Sequence, residues 1–329
     1  MMNLGTMVKG LVSDKIASQL TQHWKHDEGT LKFWRASSNF VYVFEHNQQR
    51  YFLRFNSEQE RTWEEMKAEL DFLNYLKNCG YPCVSTIPTI KGTEIVSEQT
   101  SEGTYLAVVF QAAKGKMLDE NANNQQFEAW GRTLATLHSL SKNYNPVGGP
   151  KRKNWQDVLE KIEGVINRHP HEHEALEELR NVTELLEELP TSKETYGLIH
   201  YDFQLDNLFY EEESSMFNVI DFDDAMYGWY AIDLVAALDD FLEGDAPFSN
   251  DRVQSFLTGY RSVLSLDHAL FQQYRTFQRF KNLYTFARLL WSLEDSEMED
   301  APSWLESVRE KFIRVQANLR WEFLSNVNS

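Results

Sequence analysis

Apolar and polar positions divide the chain into a strand-rich first third and a mostly helical remainder. Residues 40–45 and 51–55 are aromatic and β-branched, and the polar residues 46–50 between them predict a β-hairpin. Two further strands are predicted at residues 93–97 and 105–110, with a polar turn between them. The first third therefore has the pattern of a small sheet.

One amphipathic helix is predicted between the second and third of these strands. Ser57 and Glu60 have the spacing of a capping box, which marks a helix start. The end of the helix is expected near Gly80 and Pro82. Its apolar residues recur at three- and four-residue steps, and they are Trp63, Met66, Leu70, Leu73 and Leu76.

The remainder of the chain is mostly helical. A small polar stretch at residues 111–116 is typical of a connector, and apolar residues at helical spacing follow it. Helices are predicted at residues 127–137, 155–165, 176–189 and 304–323, the third ending before Pro190. We therefore expect an α+β protein with a sheet-rich lobe at residues 1–110 and a helical lobe at residues 111–329. A cleft between two lobes is a common place for a binding site.

A short non-helical segment, residues 197–224, carries most of the candidate chemistry. Two apolar strands within it, residues 207–210 and 217–220, flank a polar turn. A hairpin of these strands would bring Asn207 near Asp221 and gather several carboxylates at the edge of a core. Buried like charges repel unless a cation or proton neutralises them, and Mg²⁺ takes oxygen ligands. A carboxylate five residues before an amide, with a second carboxylate after a hairpin, is the pattern used for phosphoryl transfer.

The same segment resembles the aminoglycoside phosphotransferase and choline kinase family. The motifs that carry the resemblance are His200-Tyr201-Asp202-x-x-x-x-Asn207 and Ile220-Asp221-Phe222-Asp223. Single residues also match elsewhere, and they are Leu53, Arg54, Glu69, Gly115, His138 and Asp233. The resemblance implies a bilobal protein-kinase-like fold, and it implies an ATP- and Mg²⁺-dependent transfer of the γ-phosphate to a hydroxyl group of a small molecule. It also makes Asp233 the aspartate that braces the catalytic loop.

The resemblance assigns the catalytic and metal-binding roles. It implies that Asp202 accepts or orients the proton of the substrate hydroxyl. It implies that Asn207 and Asp221 hold Mg²⁺ on the phosphates, with Asp223 supporting a second metal. Positioning and charge neutralisation would then supply most of the rate enhancement.

The resemblance also assigns the nucleotide-binding residues. It implies that Arg54 steadies the α- and β-phosphates and is held by Glu69. The other implied contacts to ATP, or to GTP in its place, come from Ser37, Ser38, Asn39, Phe110, Gln111 and Ala112. Two departures from the family pattern stand out: the loop at residues 35–39 lacks glycine, and the third-strand cation is arginine.

Composition limits the kinds of molecule that the protein is expected to bind and the cellular compartment in which it is expected. The 50 acidic and 32 basic residues give a formal charge of −18, which argues against binding to nucleic acid or to an anionic membrane. The two cysteines, Cys79 and Cys83, cannot form a disulfide framework and suit a reducing cytoplasm. No signal peptide or membrane-spanning stretch is expected, so a cytoplasmic protein is predicted.

The sequence leaves the acceptor open. An amino-alcohol or an aminoglycoside, which would be cationic, is the leading prediction, and neutral or zwitterionic alcohols remain alternatives. Two other functions are also considered, a bacterial Ser/Thr protein kinase of the same fold and a nucleotide-binding pseudokinase or scaffold. The glycine-free loop and Arg54 motivate the last of these, and the presence of both Asp202 and Asp221 weighs against it. No oligomeric state is predicted.

Several other polar residues receive structural interpretations. The histidines at residues 169–173 are assigned to a solvated surface loop rather than to a metal site. Arg288 is assigned to the surface. Asp224 is left open between a surface charge and a contact to the substrate.

Overall fold

The computed structural model describes residues 1–327 apart from short stretches. Those stretches are residues 119–120, 147–148, 150, 243–246, 295 and 297–301.

An antiparallel six-stranded sheet forms the first part of the chain. Its strands are β1 (Lys32–Ala36), β2 (Phe40–His46), β3 (Gln49–Ser57), β4 (Thr86–Ile87), β5 (Ile95–Thr100) and β6 (Gly103–Gln111). The strand order is β1-β2-β3-β6-β4, and β5 also pairs with β6. Helices α1 (Leu4–Leu11) and α2 (Lys15–Thr21) precede the sheet, and α3 (Trp63–Asn78) connects β3 to β4. The four predicted strands and the predicted helix are all confirmed.

The hairpin of β2 and β3 turns tightly over two residues. His46 pairs with Gln49, and Asn47 and Gln48 between them have φ angles of 52° and 64°. Two central residues with positive φ are typical of the type I′ turn, whose twist matches that of a hairpin. The turn is therefore shorter than the five polar residues predicted.

The predicted start of α3 is wrong by five residues. The capping box is formed by Thr62 and Glu65, whose side chains each accept a hydrogen bond from the other's backbone N–H. Ser57 is still the last residue of β3, where it pairs with Tyr105 of β6. The strand runs further than its apolar stretch, so the chain needs additional residues to turn before the helix starts.

Strand β6 separates two apolar clusters. Leu106 and Val108 pack into the larger cluster, which contains the apolar face of α3 and most of the helical region. Tyr105, Ala107 and Val109 pack into the smaller cluster, which includes α1 and α2. Successive side chains of a strand point to opposite faces, so one strand serves both clusters.

The second part of the chain is mainly helical. Its helices are α4 (Asn124–Ser141), α5 (Trp155–Ile166), α6 (His173–Glu187), α7 (Tyr230–Leu238), α8 (Asp251–Arg261), α9 (His268–Gln272), α10 (Tyr274–Leu293) and α11 (Ser303–Val327). The four predicted helices correspond to α4, α5, α6 and α11. Leu305 of α11 packs into the smaller cluster beside the sheet, so α11 joins the two parts of the chain.

Short strands build the segment at residues 197–224, here called the catalytic segment, and the residues that pair with it. They are β7 (Lys116–Met117), β8 (Tyr196–Ile199), β9 (Leu208–Glu211), β10 (Met216–Val219) and β11 (Met226–Trp229). The predicted hairpin is confirmed as β9 and β10, β7 adds to its edge, and β8 pairs with β11. Gly115 precedes β7 with a φ of 97°, and a Cβ there would lie 2.4 Å from the carbonyl oxygen of Tyr210. This close approach requires glycine.

Within the described residues, no helix is both long enough and apolar enough to cross a membrane. The division into lobes at residue 110 stays a prediction.

Candidate active site

Asp233 holds the backbone that leads into the catalytic loop. This fully buried carboxylate accepts hydrogen bonds from the backbone N–H groups of His200, at 2.8 Å, and of Tyr201. Its Oδ2 also lies 3.1 Å from Nε2 of His138, whose pKa is lowered by burial despite the neighbouring carboxylate. Tyr201 has a φ of 73°, a conformation that non-glycine residues rarely adopt. Asp233 therefore has the bracing contacts implied by the sequence.

Asp202 and Asn207 face each other at the start of the catalytic hairpin. Nδ2 of Asn207 donates to Oδ2 of Asp202 at 2.9 Å and to its carbonyl oxygen at 3.0 Å. The bond from Nε2 of His200 to the carbonyl oxygen of Ile220, at 2.9 Å, links this loop to the end of β10. Burial, and then the negative charge of Asp224, raises the pKa of Asp202.

Asp221 lies between two arginines. Its backbone has a φ of 64°, directly after β10 and Ile220. Its Oδ2 lies 3.0 Å from Nη2 of Arg35, and its Oδ1 lies 3.8 Å from Nη1 of Arg54. Burial raises the pKa of Asp221 well above its usual value, and the two arginines oppose this. A nearby cation therefore stabilises the ionised form of the Asp221 carboxylate.

The predicted pairing of Arg54 with Glu69 is present. Nη1 and Nη2 of Arg54 donate to the two carboxylate oxygens of Glu69 at 2.7 and 2.8 Å. Arg61 adds a third bond to Glu69 at 3.1 Å, and the Arg54 guanidinium lies 4.9 Å from the centre of the Phe110 ring. Burial lowers the pKa of Arg54, but Glu69 outweighs this and the pKa is raised. Nε of Arg54 is buried without a hydrogen-bond partner, which suits the approach of an anion.

Asp223 is held by groups of the sheet-rich part of the chain. Its Oδ2 accepts a hydrogen bond from Nδ2 of Asn39 at 2.7 Å and lies 3.5 Å from Nη2 of Arg61. Burial raises the pKa of Asp223, but Arg61 outweighs it and the pKa is lowered. The buried Arg152, which sequence reasoning missed, donates to the carbonyl oxygens of Asp223 and Ala225. No local pattern in the sequence pointed to these long-range bonds.

Asp224 and Arg288 form a partly buried ion pair. Nη1 of Arg288 lies 2.7 Å from Oδ2 of Asp224, and Lys153 lies 3.8 Å from the other oxygen. These cations outweigh burial and hold the pKa of Asp224 well below its usual range. Nη2 of Arg288 also donates to Oγ of Ser38 at 2.9 Å. The assignment of Arg288 to the surface was therefore wrong, because its side chain reaches from α10 to the loop after β1.

Every residue predicted for the site lines one of two adjoining cavities. The larger, about 530 Å³, lies between the sheet and the catalytic hairpin, and Arg54 and Asp221 line it. Its other predicted residues are Glu69, Ser37, Asn39, Phe110, Gln111 and Ala112. Apolar side chains form much of its wall, and they include Val41, Leu73, Val84, Phe209 and Ile220. A cavity with apolar walls and charged groups at one side fits a nucleoside carrying phosphates.

The smaller cavity, about 280 Å³, lies on the helical side. The predicted residues that line it are Asp202, Asn207, Asp223, Ser37 and Ser38, together with Asp221. The other polar residues of its wall are Arg35, Tyr201, Gln204, Asp206, Asp224, Lys281, Thr285 and Arg288. Asp221 and Asp206 line both cavities, so a molecule in each would meet there.

The oxygens of Asn207 and Asp221 could hold a divalent ion only together with oxygens from another molecule. Among the described residues there is no group of three His, Cys, Asp or Glu side chains arranged for a metal. Mg²⁺ in nucleotide sites is commonly bound by one or two protein groups plus phosphate and water. These ligand oxygens therefore fit a metal ion that binds together with a nucleotide.

His169, one of the histidines assigned to a surface loop, has its Nε2 3.0 Å from Oε1 of Glu294.

The sequence model of the phosphotransferase enzyme family matches residues 31–266 of the chain. The match begins before β1 and takes in the sheet, the connector and the catalytic segment.

Individual relatives agree with the family match. Amicoumacin kinase from Bacillus subtilis (strain 168) is 24% identical over 290 residues, which cover 84% of each protein. A solved amicoumacin kinase in complex with AMP-PNP, Ca²⁺ and Ami has a TM-score of 0.79 at 21% identity, over 98% of this chain and 96% of that one. A microcompartment-associated aminopropanol kinase has a TM-score of 0.63 at 23% identity, over 95% and 98%. These likenesses confirm the bilobal protein-kinase-like α+β fold.

Proposed function

Because the chain belongs to the phosphotransferase enzyme family, we propose that it transfers the γ-phosphate of ATP to a hydroxyl group of a small amine. The family and the relatives make it a small-molecule kinase. The observation that carries the proposal is the position of Asp202, in the smaller cavity beside Asp221, where the two cavities meet.

In this proposal the larger cavity holds the nucleotide. The adenine lies between its apolar walls beside the backbone of residues 110–112. Arg54, fixed by Glu69, contacts the α- and β-phosphates. Ser37, which lines both cavities, contacts the phosphates where they reach the smaller cavity, which Ser38 also lines. GTP in place of ATP is the alternative donor, because a backbone connector reads bases mainly through its N–H and C=O groups.

Asp202 acts on the acceptor. Its carboxylate accepts the proton of the attacking hydroxyl, and Asn207 keeps that carboxylate oriented. Because the nitrogen of the Asn207 amide is bound to Asp202, the amide oxygen is the atom that can hold a cation together with Asp221. Bound Mg²⁺ would neutralise charge on the transferring phosphoryl group. Asp223 supports this arrangement through Asn39 and Arg61.

The charges of the smaller cavity favour a cationic acceptor. The three basic residues that line it are each paired with a carboxylate: Arg35 with Asp221, Arg288 with Asp224, and Lys281 with Asp239. Asp206 is exposed and, within the described part of the chain, has no ion-pair partner. An ammonium group near Asp206 would place the hydroxyl of an amino-alcohol or aminoglycoside close to Asp202. The relatives named for amicoumacin and aminopropanol support this class. The predicted cytoplasmic location stays a prediction.

The test is turnover with ATP or GTP against a panel of hydroxylated amines. Asp202→Asn should lower kcat by at least about 100-fold, because general-base catalysis supplies roughly that factor or more. Thermal stabilisation by Mg²⁺–ATP should be retained, since the change leaves the nucleotide cavity intact. Asp251→Asn, an exposed change on α8, is the matched control and should keep full activity.

Three outcomes would contradict the proposal in different ways. Full turnover by Asp202→Asn would remove that residue from the chemistry. Phosphate transfer to a generic protein substrate but to no amine would favour the protein kinase alternative. Nucleotide binding without any turnover in the wild type would favour the pseudokinase.

A further inference from the structure

Asp221 forms an ion pair with Arg35. Nη2 of Arg35 lies 3.0 Å from its Oδ2, closer than the 3.8 Å between Arg54 and the other oxygen. Arg35 belongs to β1 and stands at the start of the glycine-free loop. It lines both cavities, as Asp221 does. The guanidinium therefore occupies the place where donor, acceptor and metal would meet.

Arg54 and Arg35 differ in how firmly their side chains are held. Arg54 is 6% exposed, is bound through two nitrogens to Glu69, and packs on the Phe110 ring. The Arg35 side chain is 41% exposed, and Asp221 is its one ion-pair partner within the described residues. Arg54 is therefore fixed in place, whereas Arg35 can rotate away from Asp221 at little cost.

We propose that Arg35 is a movable counter-charge: it pairs with Asp221 before a nucleotide binds and contacts the terminal phosphate once a metal–nucleotide complex is bound. This inference rests on the proposed function. An Asp221 oxygen that accepts a hydrogen bond from a guanidinium at 3.0 Å has little room for a second cation on the same side, so Arg35 would have to leave it for Asp221 to hold a metal.

The displaced guanidinium has a new partner close by. Asp221 and Asn207 would hold Mg²⁺ together with phosphate oxygens of the nucleotide, as is common for this ion. A phosphate oxygen would then lie next to the Asp221 oxygen that Arg35 has left. Guanidinium groups bind phosphate through two parallel hydrogen bonds, so a small rotation exchanges one anion for another. In this way Arg35 supplies a phosphate contact that the loop, lacking glycine, makes less readily through its own backbone.

The experiment compares wild type with Arg35→Gln and Arg35→Lys. Arg261→Gln is the matched control, because Arg261 is exposed at the end of α8 and lines neither cavity, so both affinities should stay at the wild-type value. Calorimetry measures the binding of Mn²⁺ alone and the binding of AMP-PNP in the presence of saturating Mn²⁺. Neither readout requires an acceptor or turnover.

Arg35→Gln should bind Mn²⁺ alone about fivefold more tightly, the scale of one partly exposed ion pair. It should bind AMP-PNP at least about tenfold more weakly, and Arg35→Lys should lie between it and the wild type. Unchanged or weaker Mn²⁺ binding by Arg35→Gln would overturn the counter-charge role, and unchanged AMP-PNP binding would overturn the phosphate contact. Failure of the proposed function alone would leave both effects intact with no amine phosphorylated.

Discussion

Glu69 is the residue whose loss should most affect the stability of the sheet-rich part of the chain. It is fully buried and accepts three charged hydrogen bonds, two from Arg54 and one from Arg61, at 2.7, 2.8 and 3.1 Å. Removing one partner of a buried ion pair costs about 3–5 kcal/mol, because the other charge is left uncompensated. Asp221 and Asp223 remain within 3.8 and 3.5 Å of the same guanidinium groups and offset part of this cost. We therefore expect Glu69→Gln to lower the free energy of unfolding by about 3 kcal/mol.

The assay is urea denaturation of the wild type and Glu69→Gln. Glu64→Gln is the matched control, because Glu64 is exposed on the first turn of the same helix and its loss should cost less than about 0.5 kcal/mol. The double variant Arg54→Met/Glu69→Leu should be more stable than Glu69→Leu alone, because no charge is then left without its main partner. A loss below about 1 kcal/mol for Glu69→Gln, with no recovery in the double variant, would refute this reasoning.

Three further predictions concern Gly115 in the connector, Asp202 and Asp206. Gly115→Ala should destabilise the protein by about 1–3 kcal/mol in the same urea assay, because its Cβ would meet the carbonyl oxygen of Tyr210 at 2.4 Å. Gly92→Ala is the control, because Gly92 has a similar φ of 85° but open space around it, and this change should cost clearly less. Equal costs for the two variants would contradict the steric argument. The specificity constant kcat/KM should fall as the pH is lowered. The midpoint of this fall should lie above the usual pKa of an aspartate, because the raised pKa of Asp202 leaves its inactive, protonated form populated up to a higher pH. Asp206→Asn should move that midpoint downward in a pH–rate profile, since Asp206 is one of the charges that raise the pKa of Asp202; a midpoint that stays in place would rule out this coupling.

Local patterns predicted the parts of the fold that local forces build. Alternating aromatic residues gave the hairpin of β2 and β3, and three- and four-residue steps gave α3, α4, α5, α6 and α11. The order of Asp202, Asn207 and Asp221 placed them together, because a short hairpin leaves its flanking residues close in space.

The contacts that cross between the two parts of the chain could not be predicted in this way. Arg288 on α10 reaches Ser38 on the other side of the cleft, and Arg152 reaches the carbonyl oxygens after Asp221. Periodicity says which face of a helix is polar, but it does not say which distant loop that face meets. The start of α3 was misplaced for a related reason, since the end of β3 is set by pairing with β6.

Tyr201 has an energetically unfavourable backbone conformation directly before Asp202. A tyrosine in a left-handed conformation is less stable than glycine there by roughly 1 kcal/mol or more, and its buried hydroxyl has no hydrogen-bond partner among the described residues. Its ring nevertheless forms the wall of the smaller cavity and packs edge-on against Tyr284. Glycine would relieve the backbone cost but lose the buried ring, which is worth about 3–5 kcal/mol. A screen that selects only for thermal tolerance should therefore enrich phenylalanine at this position, because it keeps the ring and removes the unpartnered hydroxyl.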